Sequence, residues 1–168
     1  MDARIRIIKA RLAEAAVVER LMRQTIAEGA GADHQGQARV IEAWSRSKQR
    51  AQIARWLGDP ALHLNLGRWQ GRPVATGLAL RSGEVCQCFV QPGYWRRGIG
   101  RALVQDLEQA LRGWGCPRAM LYSTASALGF FARQGYACDA RPWFFTPAPA
   151  TDVQNPLKRY AHAKSAGR

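Results

Sequence analysis

Between Val90 and Leu103 the chain reads VQPGYWRRGIGRAL, two glycines and three arginines set around the start of a helical pattern. Gly98 and Gly100 let the backbone come close to a ligand, and the first turn of the helix behind them carries N–H groups without carbonyl partners. Arg96, Arg97 and Arg101 add fixed positive charge at the same place. A helix dipole, free N–H groups and guanidinium groups together suit a pyrophosphate. The same residues would also serve as a close-packed helix entry with ordinary surface arginines. A G-x-x-x-x-G-K-[ST] phosphate loop does not occur, and a dinucleotide fingerprint fits poorly because Leu103 stands where its third glycine would fall.

Glu84 opens the strand pattern that leads into this loop, a position where a carboxylate ordinarily makes a surface ion pair. His34 and His63 read as loop and strand residues, and no Ser, His and Asp set with supporting context is present. Cys86, Cys88, Cys116 and Cys138 form no C-x-x-C pair and lack the spacing of a zinc site, so no metal is expected. Cys86 and Cys88, two apart on one strand, are expected to share a face as buried thiols.

The elements that must hold these residues follow from periodicity. Ile5, Ile7 and Ile8 mark a strand, and Val18, Leu21, Met22, Thr25 and Ile26 mark a helix ending at Gly29 and Gly31. A second helical stretch from about 37 to 57 is expected to bend near Ser45 to Ser47. Three extended runs, 62–69, 74–80 and 84–90, are separated by turn residues and fit two hairpins. A helix with Leu103, Leu107, Ala110, Leu111 and Trp114 on one side then ends at Gly115, and 119–124 is a further strand. Ser126 to Gln134 reads as a short helix, with Ser126 as N-cap and Gly135 in the left-handed conformation. Residues 136–145 resume an extended pattern, TPAPAT is a loop, and a strand near 157–160 is weakened by Pro156. Hairpins followed by a crossover helix imply an α+β domain with a central mixed, mostly antiparallel sheet flanked by helices. Residues 1–160 are expected to form this single domain and 161–168 a disordered tail.

With 168 residues and 47% of them hydrophobic, the chain can bury a core of its own. Its apolar runs fall far short of the roughly 20 residues of a membrane span, and its amino terminus lacks the apolar core of a secretory signal. A cytoplasmic location without membrane contact is expected. The 25 Lys and Arg against 12 Asp and Glu give a formal charge of +13. Residues 1–60 carry 11 basic and 7 acidic groups, 61–120 carry 8 and 3, and 121–168 carry 6 and 2, so the excess is +4, +5 and +4. Such an even spread is unlike a basic arm, although folding can gather charge on one face.

VQPGYWRRGIGRALV resembles the cofactor motif of the GNAT superfamily of acetyl-coenzyme A dependent N-acyltransferases, in which a strand ending V-x-P leads into [QR]-x-x-G-x-[GA] and a helix. ASALGFFARQGY resembles its second motif, A-x-x-F-Y-x-x-x-G-[FY]. The resemblance covers most of the chain and implies the GNAT-like fold. It implies that Cys88, Phe89 and Val90 form the strand end whose backbone holds the pantetheine arm, and that Arg96, Arg97, Gly98, Ile99, Gly100 and Arg101 form the pyrophosphate loop. Thr124 stands where the family often has Asn or Ser near the pantetheine, and Glu84 where some members place a general base. Two positions depart from the pattern. Trp95 replaces the usual Gln or Arg, and Phe131 replaces the Tyr that commonly protonates the departing thiolate, leaving that role to Tyr122, another side chain or water.

The activity implied is transfer of an acetyl group from acetyl-CoA, as cosubstrate, to a primary amine of a small molecule or protein by direct attack. The amine must first lose a proton, which Glu84 would take if burial raised its pKa. A backbone N–H near Phe89 or Val90 would stabilise the oxyanion. Trp44, Trp56 and Trp69 fall in the half that forms the acceptor pocket in the family, where aromatic residues also serve simply as core. The competing expectation is a catalytically weak module of the same fold that binds nucleic acid or ribosome through its basic surface. An exposed terminal strand would suit a homodimer.

Overall fold

The computed structural model describes residues 2–139 and 160–165. The amino-terminal half places β1 (Ile5–Lys9) ahead of four helices, α1 (Ala15–Gly29), α2 (Gly31–His34), α3 (Ala38–Arg46) and α4 (Arg50–Gly58). Val18, Leu21, Met22, Thr25 and Ile26 of α1 recur at helical spacing and are all buried, which fixes the face that α1 turns to the sheet. The long second helical stretch breaks between Arg46 and Arg50, where the bend was expected.

β2 (Leu62–Trp69), β3 (Arg72–Leu80) and β4 (Glu84–Val90) follow as antiparallel neighbours. The first turn is two residues, Gln70 and Gly71, at φ of 48° and 82°, the left-handed pair that matches the twist of a tight hairpin. The crossover helix α5 (Ile99–Gly113) returns the chain to β5 (Arg118–Ser123), then α6 (Leu128–Arg133), β6 (Ala137–Asp139) and β7 (Tyr160–Ser165). The seven-stranded sheet has the order β1-β2-β3-β4-β5-β7-β6, with β4 and β5 as the parallel pair among antiparallel ones.

The helices divide between the two faces. Residues of α1, α3 and α4 pack with Leu64, Leu66, Leu78, Cys86 and Phe89. Leu107 and Leu111 of α5 and Phe131 of α6 pack on the opposite face with Ala79, Val85 and Leu121. Gly77 is required here, because a Cβ would lie 2.8 Å from Leu107 and 3.1 Å from the Gln87 carbonyl oxygen.

Two irregularities shape the middle of the sheet. β4 and β5 are in register only at Glu84–Met120 and Val85–Leu121, after which they part. The β3–β4 register also shifts between Leu78 and Ala79, which places a bulge at Cys86. That bulge corrects the expectation that the two cysteines share a face: Cys86 joins the α1 side, whereas Cys88 packs on the α5 side.

The carboxy terminus also differs from its reading as a tail. Tyr160–Ser165 is a full strand, inserted between β5 and β6. Lys164 anchors it, donating to both oxygens of the buried Glu108 carboxylate at 3.0 and 3.2 Å and to the Gln134 carbonyl at 2.8 Å. The extended run expected over 136–145 is strand for 137–139; its remainder, the TPAPAT loop and residues 166–168 lie outside the described residues.

Candidate active site

The parting of β4 and β5 opens a cavity of about 840 Å³, lined by β4 from Val85 to Val90, β5 from Leu121 to Ser123, the loop and first turn of α5, the α1–α2 junction and α6. Its construction begins with the loop. Arg96 takes a positive φ of 62°, and Gly98 caps α5 at φ 82°, a geometry that glycine adopts without strain. The first hydrogen bond of the helix runs from Ala102 N–H to the Gly98 carbonyl at 3.0 Å, so the N–H groups ahead of it have no helical acceptor. Gly100 allows α6 to close on this turn, since a Cβ there would lie 3.1 Å from the Phe130 ring.

Cys88, Phe89, Val90, Arg96, Gly98, Gly100, Arg101 and Thr124 of the expected cofactor set line this one cavity. Ile99 does not: it is 1% exposed and packs into the core with Leu103. Arg97 does not either. Its guanidinium lies 5.3 Å from the Trp69 ring and 5.7 Å from Tyr94, on the wall of a separate cleft that includes Arg72. Burial of the aromatic faces and cation–π attraction account for that orientation.

Glu84 sits at the closed end of the parting, where β4 and β5 are still paired, and is not part of the cavity wall. Tyr122 is. Burial raises its phenol above the ordinary value, and the neighbouring charge of Glu84 adds to the shift. Val85 and Leu121 face α5, so by alternation Glu84 and Tyr122 share the α1 face. Phe131 lines the cavity as an apolar side chain, packed edge-on against Phe130 and Tyr136 at 4.9 and 5.8 Å between centroids.

Trp95, the other departure from the motif, donates its indole N–H to the Val90 carbonyl at 2.7 Å while remaining 50% exposed. It rests against Gly29, where a Cβ would lie 3.2 Å from its ring. The two histidines are structural. His34 Nδ1 accepts from the Gly36 N–H, which leaves Nε2–H to donate to the Ile26 carbonyl. His63 meets Asp106 at 2.8 Å, behind the sheet.

Several cavity residues, Asp33, Thr25 and Gln87 among them, were not singled out from the sequence as site residues, whereas Trp44 was named for the acceptor half. Asp33 accepts from the backbone and hydroxyl of Ser126, linking α2 to the segment before α6. Ser126 therefore bridges to α2; it does not cap α6, whose N-cap is Ala127. Gln87, Thr25 and Trp44 line the cavity with buried polar atoms that lack partners, each costing about 1–3 kcal/mol when left so. The one sequence signal for Gln87 is an amide in the apolar run that follows Glu84 in β4.

The model of the Acetyltransferase (GNAT) family matches residues 23–136. The chain is 31% identical over 105 residues to Serotonin N-acetyltransferase 2, chloroplastic, of Oryza sativa subsp. japonica, a match covering 60% of this chain and 50% of the relative. It is 32% identical over 59 residues to Glucosamine 6-phosphate N-acetyltransferase of Trypanosoma brucei brucei, covering 35% and 40%. The chain thus spans about half or less of the curated relatives it matches. A GCN5-related N-acetyltransferase structure from Rhodopseudomonas palustris aligns with TM-score 0.80 at 20% identity over 96% of this chain and 95% of that one. The PaiA N-acetyltransferase of Thermoplasma acidophilum, solved with coenzyme A, aligns with TM-score 0.72 at 14% identity over 96% and 99%. Fold, motif order and the matched residues agree, and the chain belongs to the GNAT acetyltransferase family.

Proposed function

We propose that the chain transfers the acetyl group of acetyl-CoA to a primary amine by direct attack. The observation that carries this reading is that the anion-binding loop at the head of α5 and the parting of β4 and β5 open into one cavity. The fit is chemical. N–H groups ahead of Ala102 without a helical acceptor, with Arg96 and Arg101 beside them, suit a pyrophosphate, and the narrow gap walled by Cys88, Phe89 and Phe131 suits a thin arm. Acetyl-CoA would supply an acyl group activated as a thioester.

The chain's own residues would then manage protons and position. Attack forms an N–C bond as the C–S bond breaks, the amine gives up a proton and the departing sulfur gains one. Glu84 is the proposed base, receiving the amine proton through water because it stands behind the cavity wall. Tyr122 is the proposed donor in place of the tyrosine missing at Phe131: its raised phenol stays protonated through the neutral range. Thr124, 8% exposed and 3.2 Å from the Ser126 hydroxyl, would hold the arm near β5.

Calorimetric titration with acetyl-CoA tests the reading. Micromolar binding is expected in the wild type, with loss in Gly98→Glu, which puts a carboxylate into the anion cradle. Absence of wild-type binding would overturn it and favour the basic-module reading, for which the arginines around Trp69 and Tyr94 are the relevant surface.

A further inference from the structure

The cleft at Trp69 has a volume of about 470 Å³ and lies between the β2–β3 turn and the loop ahead of α5. Tyr94 lines both this cleft and the large cavity, so the two recesses share a wall. Trp69 itself is 6% exposed, and its ring is covered by cations: the Arg4 guanidinium lies 4.6 Å and the Arg97 guanidinium 5.3 Å from it. Arg72, which also lines the cleft, is the cross-strand partner of Trp69 in the β2–β3 ladder, so the two side chains leave the sheet on the same face. Three arginines thus converge on one indole.

Their counter-charge is incomplete. Asp2 pairs with Arg4 at 2.8 Å, and Arg68, one residue before Trp69, is matched by Glu14 at 2.9 Å. Arg72 and Arg97 have no such match: no carboxylate lines the cleft, and among the described residues neither forms an ion pair. Like charges gathered in this way repel, and a bound anion relieves the repulsion. A guanidinium already placed over an aromatic ring loses little freedom when its N–H groups meet an oxyanion. The β2–β3 turn adds rigidity, because the Gln70 N–H donates to the Arg4 carbonyl at 2.8 Å and ties β1 to the rim of the cleft.

The kind of anion follows from what the cleft offers. With guanidinium groups over the Trp69 ring and Arg97 also 5.7 Å from Tyr94, the aromatic faces are taken and the groups left for a ligand are N–H donors suited to oxyanions. One phosphate would engage one fork, whereas a nucleic-acid strand carries a phosphate at every nucleotide and can set successive ones on Arg97 and Arg72. The formal charge of +13 draws such a polyanion from a distance. We infer that this cleft binds the phosphate backbone of a nucleic-acid strand, at a site separate from the cofactor cavity that Arg96 and Arg101 line. The inference goes beyond the acetyltransferase reading and does not depend on it.

The test is fluorescence anisotropy of a labelled oligouridylate of about 12 nucleotides, a length within the range that one small domain covers, titrated with the full chain over a series of salt concentrations. Micromolar binding at low salt is expected. Arg72→Gln and Arg97→Gln should each weaken it about tenfold and lower the salt slope by about 1, the mark of one lost phosphate contact. Arg39→Gln removes the same charge from an exposed position of α3 that lines neither recess, and should change little. Arg72→Gln should keep the wild-type affinity for acetyl-CoA. Absence of oligonucleotide binding would overturn the inference, as would an equal loss in Arg39→Gln, which would mean diffuse attraction to the whole surface. Displacement by saturating acetyl-CoA would also overturn it, by putting the strand in the cofactor cavity, and so would equally tight competition by polyglutamate or by a single nucleotide, which would assign the cleft to an acidic protein or a free nucleotide. Failure of acetyl-CoA to bind would sink the acetyltransferase reading and leave this titration to decide the cleft on its own.

Discussion

Asp33 and Ser126, 93 positions apart, meet across the mouth of the cavity: the Asp33 carboxylate accepts from both the backbone N–H, at 3.1 Å, and the hydroxyl of Ser126. The bond ties the one-turn helix after α1 to the segment entering α6, and so holds together the two walls between which an acceptor and an acetyl donor would meet. His34, next in sequence, pins the same turn to α1 through Ile26.

Asp33→Ala should loosen this tie without unfolding the domain. Amide hydrogen exchange over residues 31–37 and 124–127 should speed up several-fold, while global stability falls by about 1 kcal/mol. Unchanged exchange would mean that the contact does not restrain the mouth.

If Glu84 and Tyr122 divide the proton traffic, Glu84→Gln and Tyr122→Phe should each lower kcat by about 10²-fold or more with little change in the acetyl-CoA KM. Burial and the Glu84 charge both raise the phenol, so Glu84→Gln should also bring the Tyr122 titration back toward 10.0, readable as phenolate absorbance. A Tyr122 titration indifferent to Glu84 would break the proposed coupling.

Acid stability should depend on Asp106. Burial works to raise this carboxyl, but hydrogen bonds from His63 and Asn65 and the charge of His63 outweigh it and hold it below 3.8. A group whose folded value lies below its unfolded one contributes stability that is complete above the unfolded value and disappears as pH falls through the folded one. Asp106→Asn should therefore cost about 1–2 kcal/mol at neutral pH and flatten the decline of the urea midpoint as pH falls below the ordinary carboxylate range. Parallel declines would show that Asp106 is not the acid-sensitive group.

Lys164→Met should leave the Glu108 carboxylate, 8% exposed, with the longer Arg112 contact at 3.9 Å in place of its 3.0 Å ion pair. A loss of about 2 kcal/mol is expected, smaller than for a fully buried pair because the Lys164 side chain is 33% exposed. Adding Glu108→Gln should restore most of it. Equilibrium denaturation of the single and double variants measures the coupling.

Apart from the one-turn α2, where His34 was read as a loop residue, the elements from β1 to α6 were legible in the sequence because each carries its own period: Val18 to Ile26 at helical spacing, the hairpin runs bounded by Gln70–Gly71 and Gly83, the loop glycines ahead of α5. β7 was not, because Ala161, Ala163 and Lys164 have little strand character and earn their place through Glu108, 56 residues away. The bulge at Cys86 depends on the register of a neighbouring strand, and the turn of Arg97 toward Trp69 on a pocket assembled by tertiary structure.

With only two residues of each strand in register, β4 and β5 leave the sheet as two smaller sheets leaning on each other: β1 to β4 on one side, β5 to β7 on the other. A molecule lodged in the gap would act as a mortise between them, replacing ladder bonds that the chain itself cannot form. Filling the cavity should therefore stiffen the body beyond its lining and raise the temperature at which it unfolds, because at the seam the core shared by Ala79, Val85, Leu121 and Phe131 lacks a continuous ladder above it.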